Sequence, residues 1–110
     1  RLIGMSNTLL LQYTGDRIDG AEAYRLGIVS KLFSNDELFD ASLELASRLA
    51  KGATQSHALT KYLVQKSLSM DFEESLELAL VAQEQVRRTE DHKEAVQAFL
   101  EKRPALFKGR

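Results

Sequence analysis

A chain of 110 residues, 44% apolar and 28% charged, is enough for one domain at most, burying roughly two-thirds of its unfolded surface. A net charge of -1 supplies no general attraction to nucleic acid or anionic lipid, and no cysteine is present for a disulfide, a thiol nucleophile or a Cys-based metal site. The apolar runs are only a few residues long and no signal peptide is visible, so the expectation is no membrane span and a cytoplasmic or organelle-matrix setting.

Ser6 or Asn7 is placed to cap a first helix over 7–14, closed by Gly15. Leu9, Leu10, Leu11 and Tyr13 are nearly contiguous there, so most of its circumference calls for burial. Asp19 caps a short helix over 20–26, with Glu22 at the reciprocal capping-box spacing and Gly27 where a positive φ is wanted. Ile28 to Phe33 is β-branched and apolar, which suits a short strand or an extended connector. Ser34 and Glu37 make a full S-x-x-E box for a helix over 35–50, stopped by Gly52. Leu38, Ala41, Leu45 and Leu49 form one stripe on it and Phe39, Leu43, Ala46 and Ala50 a second, which predicts burial against two neighbours.

Thr54 is the expected cap of a helix over 55–67, with Ala58, Leu59, Tyr62 and Leu63 inward and Lys61, Gln65 and Lys66 toward water. Asp71 and Glu74 repeat the D-x-x-E signal before a helix over 72–88. Phe72, Leu76, Ala79, Leu80 and Gln83 make its main face, which Leu78, Val81 and Val86 widen. Thr89 starts the last helix, over 90–102, with Glu90 and Asp91 in its first turn. Ala95, Val96, Phe99 and Leu100 form its stripe, and Pro104 forces an end near Arg103. A short tail follows, with Leu106 and Phe107 as apolar anchors. The elements sum to five or six helices with one short extended piece, a mostly α chain.

The residues alone yield no active site. His57 and His92 have no helix-spaced partner for a metal and read as structural. Capping accounts for Asp19, Glu22, Glu37, Asp71 and Glu74, and a solvated face for Glu73, Glu77, Glu84 and Glu101. No G-x-G-x-x-G, Walker loop or nucleophile elbow occurs, and the hydroxyls of Ser6, Thr14, Ser34 and Thr54 have no adjacent base. No catalytic residue and no metal ligand is assigned.

Two stretches carry a family resemblance. Thr14-Gly15-Asp16, Ile18, Ala21-Glu22-Ala23 and Gly27-Ile28-Val29 resemble the TG-x-x-I-x-A-x-E-A-x-x-x-G-(L/I)-V segment of the enoyl-CoA hydratase/isomerase (crotonase) superfamily. Ala98 to Arg103 with Phe107 resembles the AF-x-EKR-x-x-x-F ending of the same chains, at the separation the family shows. Gly20 departs from the family pattern, which usually has a small or polar non-glycine residue there. The resemblance implies the C-terminal helical segment of a crotonase-like α/β fold. Residues 1–33 would be the end of the catalytic core and 34–110 the helical trimerisation region. Arg1-Leu2 resembles the start of an RL-x-x-x-G that lies well inside family chains, with Gly4 two residues ahead of the pattern's glycine, so roughly the last two-fifths of a longer enzyme is implied.

What the resemblance implies about function is an enoyl-CoA hydratase adding water to 2-enoyl-CoA in fatty-acid oxidation or a related pathway. Backbone amides of an oxyanion hole and two glutamates would lie before residue 1. An isomerase, dehalogenase, decarboxylase or ring-forming synthase of the superfamily is an alternative, and so is a non-catalytic helical module that only assembles subunits. The implied partners are an acyl-CoA thioester and copies of the same chain in trimers or hexamers, with no nucleic acid, no membrane and no cofactor beyond the coenzyme A of the substrate. Phe99 and Lys102 match the residues that reach the adenine-nucleotide end of coenzyme A bound by a neighbouring subunit. A phenyl face suits a purine and an ammonium suits a phosphate as a point charge, and i, i+3 spacing puts both on one helix face. The competing reading makes Phe99 core and Lys102 solvated.

Overall fold

A computed structural model describes residues 1–110: six α-helices make up 68% of the chain, and there is no strand. The helices are α1 (Gly4–Thr14), α2 (Gly20–Arg25), α3 (Asn35–Ala50), α4 (Thr54–Ser67), α5 (Phe72–Arg87) and α6 (Glu90–Glu101). Two compact units, Arg1–Ser42 and Leu43–Arg110, divide them. No helix is long and apolar enough to cross a membrane.

In the first unit, α1 starts three residues earlier than expected. Neither Ser6 nor Asn7 caps it. Asn7 and Thr8 lie inside the helix and donate back to the carbonyls of Ile3 and Gly4, at 2.9 Å each. Gly15 closes it in the left-handed conformation, its N–H donating to Leu11 O at 3.0 Å. Asp19 caps α2 as expected, accepting from Glu22 N at 2.8 Å, but Glu22 does not complete the box. Its carboxylate takes both prongs of the Arg25 guanidinium instead, at 2.7 and 2.6 Å.

Gly27, at φ 79°, ends α2 in a Schellman turn. Its N–H reaches Tyr24 O at 3.0 Å and the Ile28 N–H reaches Ala23 O at 2.9 Å. At Gly20, where the family pattern is broken, a Cβ would meet Leu32 Cδ1 at 2.9 Å, so the missing side chain makes room for leucine. The run 28–33 is a connector, not a strand. Its backbone joins no ladder, and the chain holds no strand for it to pair with.

The Ser34 box that starts α3 is half formed. Glu37 reaches back to the Ser34 N–H at 3.4 Å, while the Ser34 hydroxyl donates to that same carboxylate at 2.6 Å. Both donors favour the ionised form and hold Glu37 below the usual carboxylate range. Of the two stripes on α3, only Ala41 is half-buried. Leu38, Phe39, Leu43, Leu45 and Leu49 are exposed.

In the second unit, α4 packs on α5 and α5 on α6. The cap of α4 is Ala53, without a side-chain bond, and Thr54 is already helical. Leu59 and Leu63 turn inward, whereas Ala58 and Tyr62 stay exposed. The full capping box opens α5: Glu74 N donates to Asp71 Oδ1 at 2.8 Å and Asp71 N to Glu74 Oε2 at 3.3 Å. The inward face of α5 is Leu78, Ala79, Ala82 and Val86, and Ala82 is buried. Phe72, Leu76 and Leu80, expected at the centre of the main face, are exposed. The only buried apolar side chains are alanines, Ala82 and Ala98. Small residues let the helices approach closely, and the larger apolar groups are left on the outer faces.

Candidate functional site

The region built most firmly is α6 with the chain that follows it. Thr89 caps α6 by accepting from His92 N at 3.0 Å and donates to Val86 O at 2.7 Å, which ties the turn after α5 to the start of α6. The helix ends at Glu101, ahead of the stop expected from Pro104. Lys102 takes the left-handed conformation at φ 53° and ψ 38° and is the one non-glycine residue with positive φ. A second Schellman turn results. Lys102 N donates to Phe99 O at 3.2 Å and Arg103 N to Ala98 O at 3.0 Å.

The tail then runs back along α6, held by acidic side chains one helical turn apart. Both oxygens of Asp91 accept backbone N–H groups, from Lys108 at 2.6 Å and Gly109 at 2.8 Å. Asp91 is 3% exposed, and its own N–H donates to Arg110 O at 3.0 Å. Glu94 accepts from Leu106 N at 2.9 Å and takes the Arg103 guanidinium in a fork, at 2.6 and 3.0 Å. Arg103 also binds Glu101 through Nε and donates to Pro104 O. Gln55 at the start of α4 donates to Gly109 O at 3.1 Å. Gly109 has φ 75°, and a Cβ there would sit 2.6 Å from Thr54 Oγ1, so both conformation and space call for glycine. A cleft of about 250 Å³ between α6 and the tail is lined by Asp91, Lys93, Glu94, Gln97, Leu106 and Lys108.

This acidic clamp was not legible as such in the sequence. Asp91 reads there as a first-turn residue and Glu94 carries no signal of its own, because their backbone partners lie 12 to 18 positions away. The i, i+3 carboxylates ahead of a proline-led tail were the one available signal. Of the two expected anchors, Phe107 is half-buried and Leu106 is 74% exposed, since hydrogen bonds rather than apolar contact fix this segment.

Charge follows the geometry. The Arg103 guanidinium, followed by the Leu106 N–H, pulls the Glu94 carboxyl down from its ordinary 4.5 to about 2. Glu94 and then Glu101 push the Arg103 guanidinium up. Glu101 is lowered by Gln97 first and by Arg103 second. Because the folded value of Glu94 is depressed, its contribution to stability is complete above about pH 4.5 and is lost as the pH falls toward 2. The protection of the Leu106 amide, its exchange rate compared with that of an unstructured amide at the same pH, is therefore expected to fall across that window, and Glu94→Gln is expected to remove that fall. Protection at Leu106 that stays constant through the window in the unaltered chain would contradict the clamp.

The two residues singled out for ligand contact lie at the end of α6. Phe99 is 82% exposed, so it is no part of this chain's core, and Lys102 is exposed at the turn. They are linked through the Lys102 N–H to Phe99 O bond, yet they do not share a regular helix face, because the helix ends between them. Val96 and Leu100 of the expected stripe are exposed too, at 47% and 74%, while the inward side of α6 is Asp91, Glu94, Ala95 and Ala98. The end of α6 thus presents an apolar patch, Phe99 and Leu100, beside a cation.

The histidines stand apart. His57 is exposed and lies over Gly52, where a Cβ would meet its ring at 2.5 Å, and His92 is half-buried in the first turn of α6. No three metal-binding side chains come together.

The family profile described as Enoyl-CoA hydratase/isomerase matches residues 1–110. A probable enoyl-CoA hydratase of Rhizobium meliloti is 34% identical over 110 residues, all of this chain and 43% of its own. A carnitinyl-CoA dehydratase of Citrobacter koseri is 38% identical over 101 residues, covering 88% of this chain and 39% of its own. The crystal structure of an enoyl-CoA hydratase from Geobacillus kaustophilus superposes with a TM-score of 0.96 at 33% identity, over 99% of this chain and 41% of that one. The chain spans about two-fifths of the length of the curated relatives it matches.

Proposed function

The chain belongs to the enoyl-CoA hydratase/isomerase family, and from that premise we propose that it is the helical segment of an acyl-CoA-processing enzyme whose reaction is the addition of water to a 2-enoyl-CoA. The Rhizobium meliloti relative that matches across the whole of this chain is a probable enoyl-CoA hydratase, and the same fold is seen in a solved hydratase. The observation that carries a ligand role for these residues is the exposed Phe99 beside Lys102 at the Schellman turn ending α6. A phenyl face of that kind takes a purine by stacking, and the ammonium takes a nucleotide phosphate. In this reading the segment contacts the nucleotide end of coenzyme A on a neighbouring subunit, and the acid–base groups and oxyanion-hole amides belong to the part of the fold outside residues 1–110.

A second reading is favoured by a separate observation, the exposed stripes of α3 and the outer faces of α5 and α6. Surfaces of that kind suit a module whose work is subunit assembly, in trimers or hexamers. The deciding experiment follows the absorbance of crotonyl-CoA and the mass of the product. The full-length enzyme is expected to form 3-hydroxybutyryl-CoA, and residues 1–110 alone are expected to form none. A full-length enzyme that leaves the double bond unhydrated and shifts it, or removes another group, would replace hydration by a different reaction of the family. Turnover by residues 1–110 alone would overturn the placement of the catalytic groups.

A further inference from the structure

We propose that Glu94 and Arg103 are positioning residues for ligand binding: their forked ion pair holds the turn that carries Lys102 and so fixes where the ammonium meets the nucleotide phosphates of an acyl-CoA. This rests on the reading of Lys102 as a phosphate contact. The first observation is conformational. Lys102 is the one non-glycine residue at positive φ, a region that L side chains enter reluctantly. Glycine would make the same turn without strain, so a lysine there places a cation at a spot the backbone resists. Such strain persists only where the surroundings over-determine it.

The surroundings do so from the residue that follows. Arg103 is tied by its N–H to Ala98 O at 3.0 Å and by its guanidinium to both oxygens of Glu94, at 2.6 and 3.0 Å. Its Nε binds Glu101, a further N–H goes to Pro104 O, and Pro104 restricts the Arg103 backbone to extended conformations. The head of this side chain is fixed at several points, on a helix whose first turn is also capped.

The second observation is electrostatic. Glu94 and Glu101 are the carboxylates next to the turn, and Arg103 engages both. Lys102 makes no ion pair of its own. With Arg103 absent from the fork, a carboxylate would be free to draw the ammonium back onto α6. The pair therefore holds the backbone of Lys102 in place and keeps its charge available to a phosphate.

The test is a double-mutant cycle in the full-length enzyme, with KM and kcat measured for a 2-enoyl-CoA and for the matching pantetheine thioester, which lacks the nucleotide. Glu94→Gln is expected to raise KM for the CoA substrate about twofold, to leave kcat unchanged, and to leave KM for the truncated substrate unchanged. In a Lys102→Ala background, Glu94→Gln is expected to add nothing. Where Glu94→Gln lowers the folded fraction, Arg103→Lys, which keeps the charge and loses the fork, carries the same expectations. An equal KM rise for both substrates, or an effect that adds fully to Lys102→Ala, would overturn the positioning role while leaving the Lys102 contact standing. A Lys102→Ala enzyme that treats the two substrates alike would remove the contact itself, and the inference with it.

Discussion

Asp91→Ala is expected to cost about 2–3 kcal/mol of folding stability, among the largest single-residue effects in the second unit. Asp91 is 3% exposed and accepts the N–H groups of Lys108 and Gly109 on separate oxygens. A hydrogen bond to a carboxylate contributes about 1.5–3 kcal/mol, and because the tail can lift off into water once the acceptor is gone, the losses of the two bonds do not add in full. The tail would then detach from α6, and with it the contact between Gly109 and the start of α4. A urea titration of the unaltered and variant chains measures the difference. A midpoint that does not move would mean that the tail contributes little and that Asp91 is buried only incidentally. Glu90→Ala, which breaks the exposed pair with Arg110, makes the control, since an exposed pair of this kind contributes at most about 1 kcal/mol.

Residues 1–110 prepared alone are expected to associate. Phe39 is 74% exposed, Leu43 55%, Phe72 80% and Leu100 74%, and no large side chain in the chain is fully buried. Each such group left in water forgoes about 1.5–3 kcal/mol relative to burial. A few of them gathered on one face give association a driving force of several kcal/mol against its entropic cost. On α3 the exposed groups recur at helical spacing, so they form a continuous face. Light scattering is expected to return a mass above that of the monomer, and the pair Phe39→Asp with Leu43→Asp is expected to lower it. A well-folded monomer at high concentration would contradict the assignment of these faces to burial.

Much of the helical order was legible because it rests on short-range chemistry. Asp19, Asp71 and Thr89 each accept the N–H three residues on, and Gly15 and Gly27 each take the left-handed conformation that closes a helix. Those signals need nothing beyond one turn of chain. Ser6, Asn7 and Thr54 carry the same chemistry and do not cap, because a hydroxyl or amide inside a helix bonds backward as readily, as Asn7 and Thr8 do. The facing of α5 and α6 was harder to read. Both helices are apolar over more than one side, and periodicity does not say which side meets a neighbour in this chain and which meets something else. Ala82 and Ala98 mark the inward sides by being small, while Phe72, Phe99 and Leu100, the strongest apolar signals, point outward. At the candidate site, Phe99 and Lys102 were found through a motif. The clamp beneath them was not, because its partners are separated in sequence and several are backbone groups of the tail.

The ligand role of the α6 end is tested most directly by Lys102→Ala in the full-length enzyme, assayed on a 2-enoyl-CoA and on its pantetheine thioester. An exposed charge contact is worth about 0.5–1 kcal/mol, so KM for the CoA substrate is expected to rise two- to fivefold with kcat nearly unchanged. The difference should shrink as salt is raised and should be absent with the truncated thioester. A KM penalty of the same size on both substrates, insensitive to salt, would show that Lys102 serves the turn alone and that the nucleotide does not meet this surface.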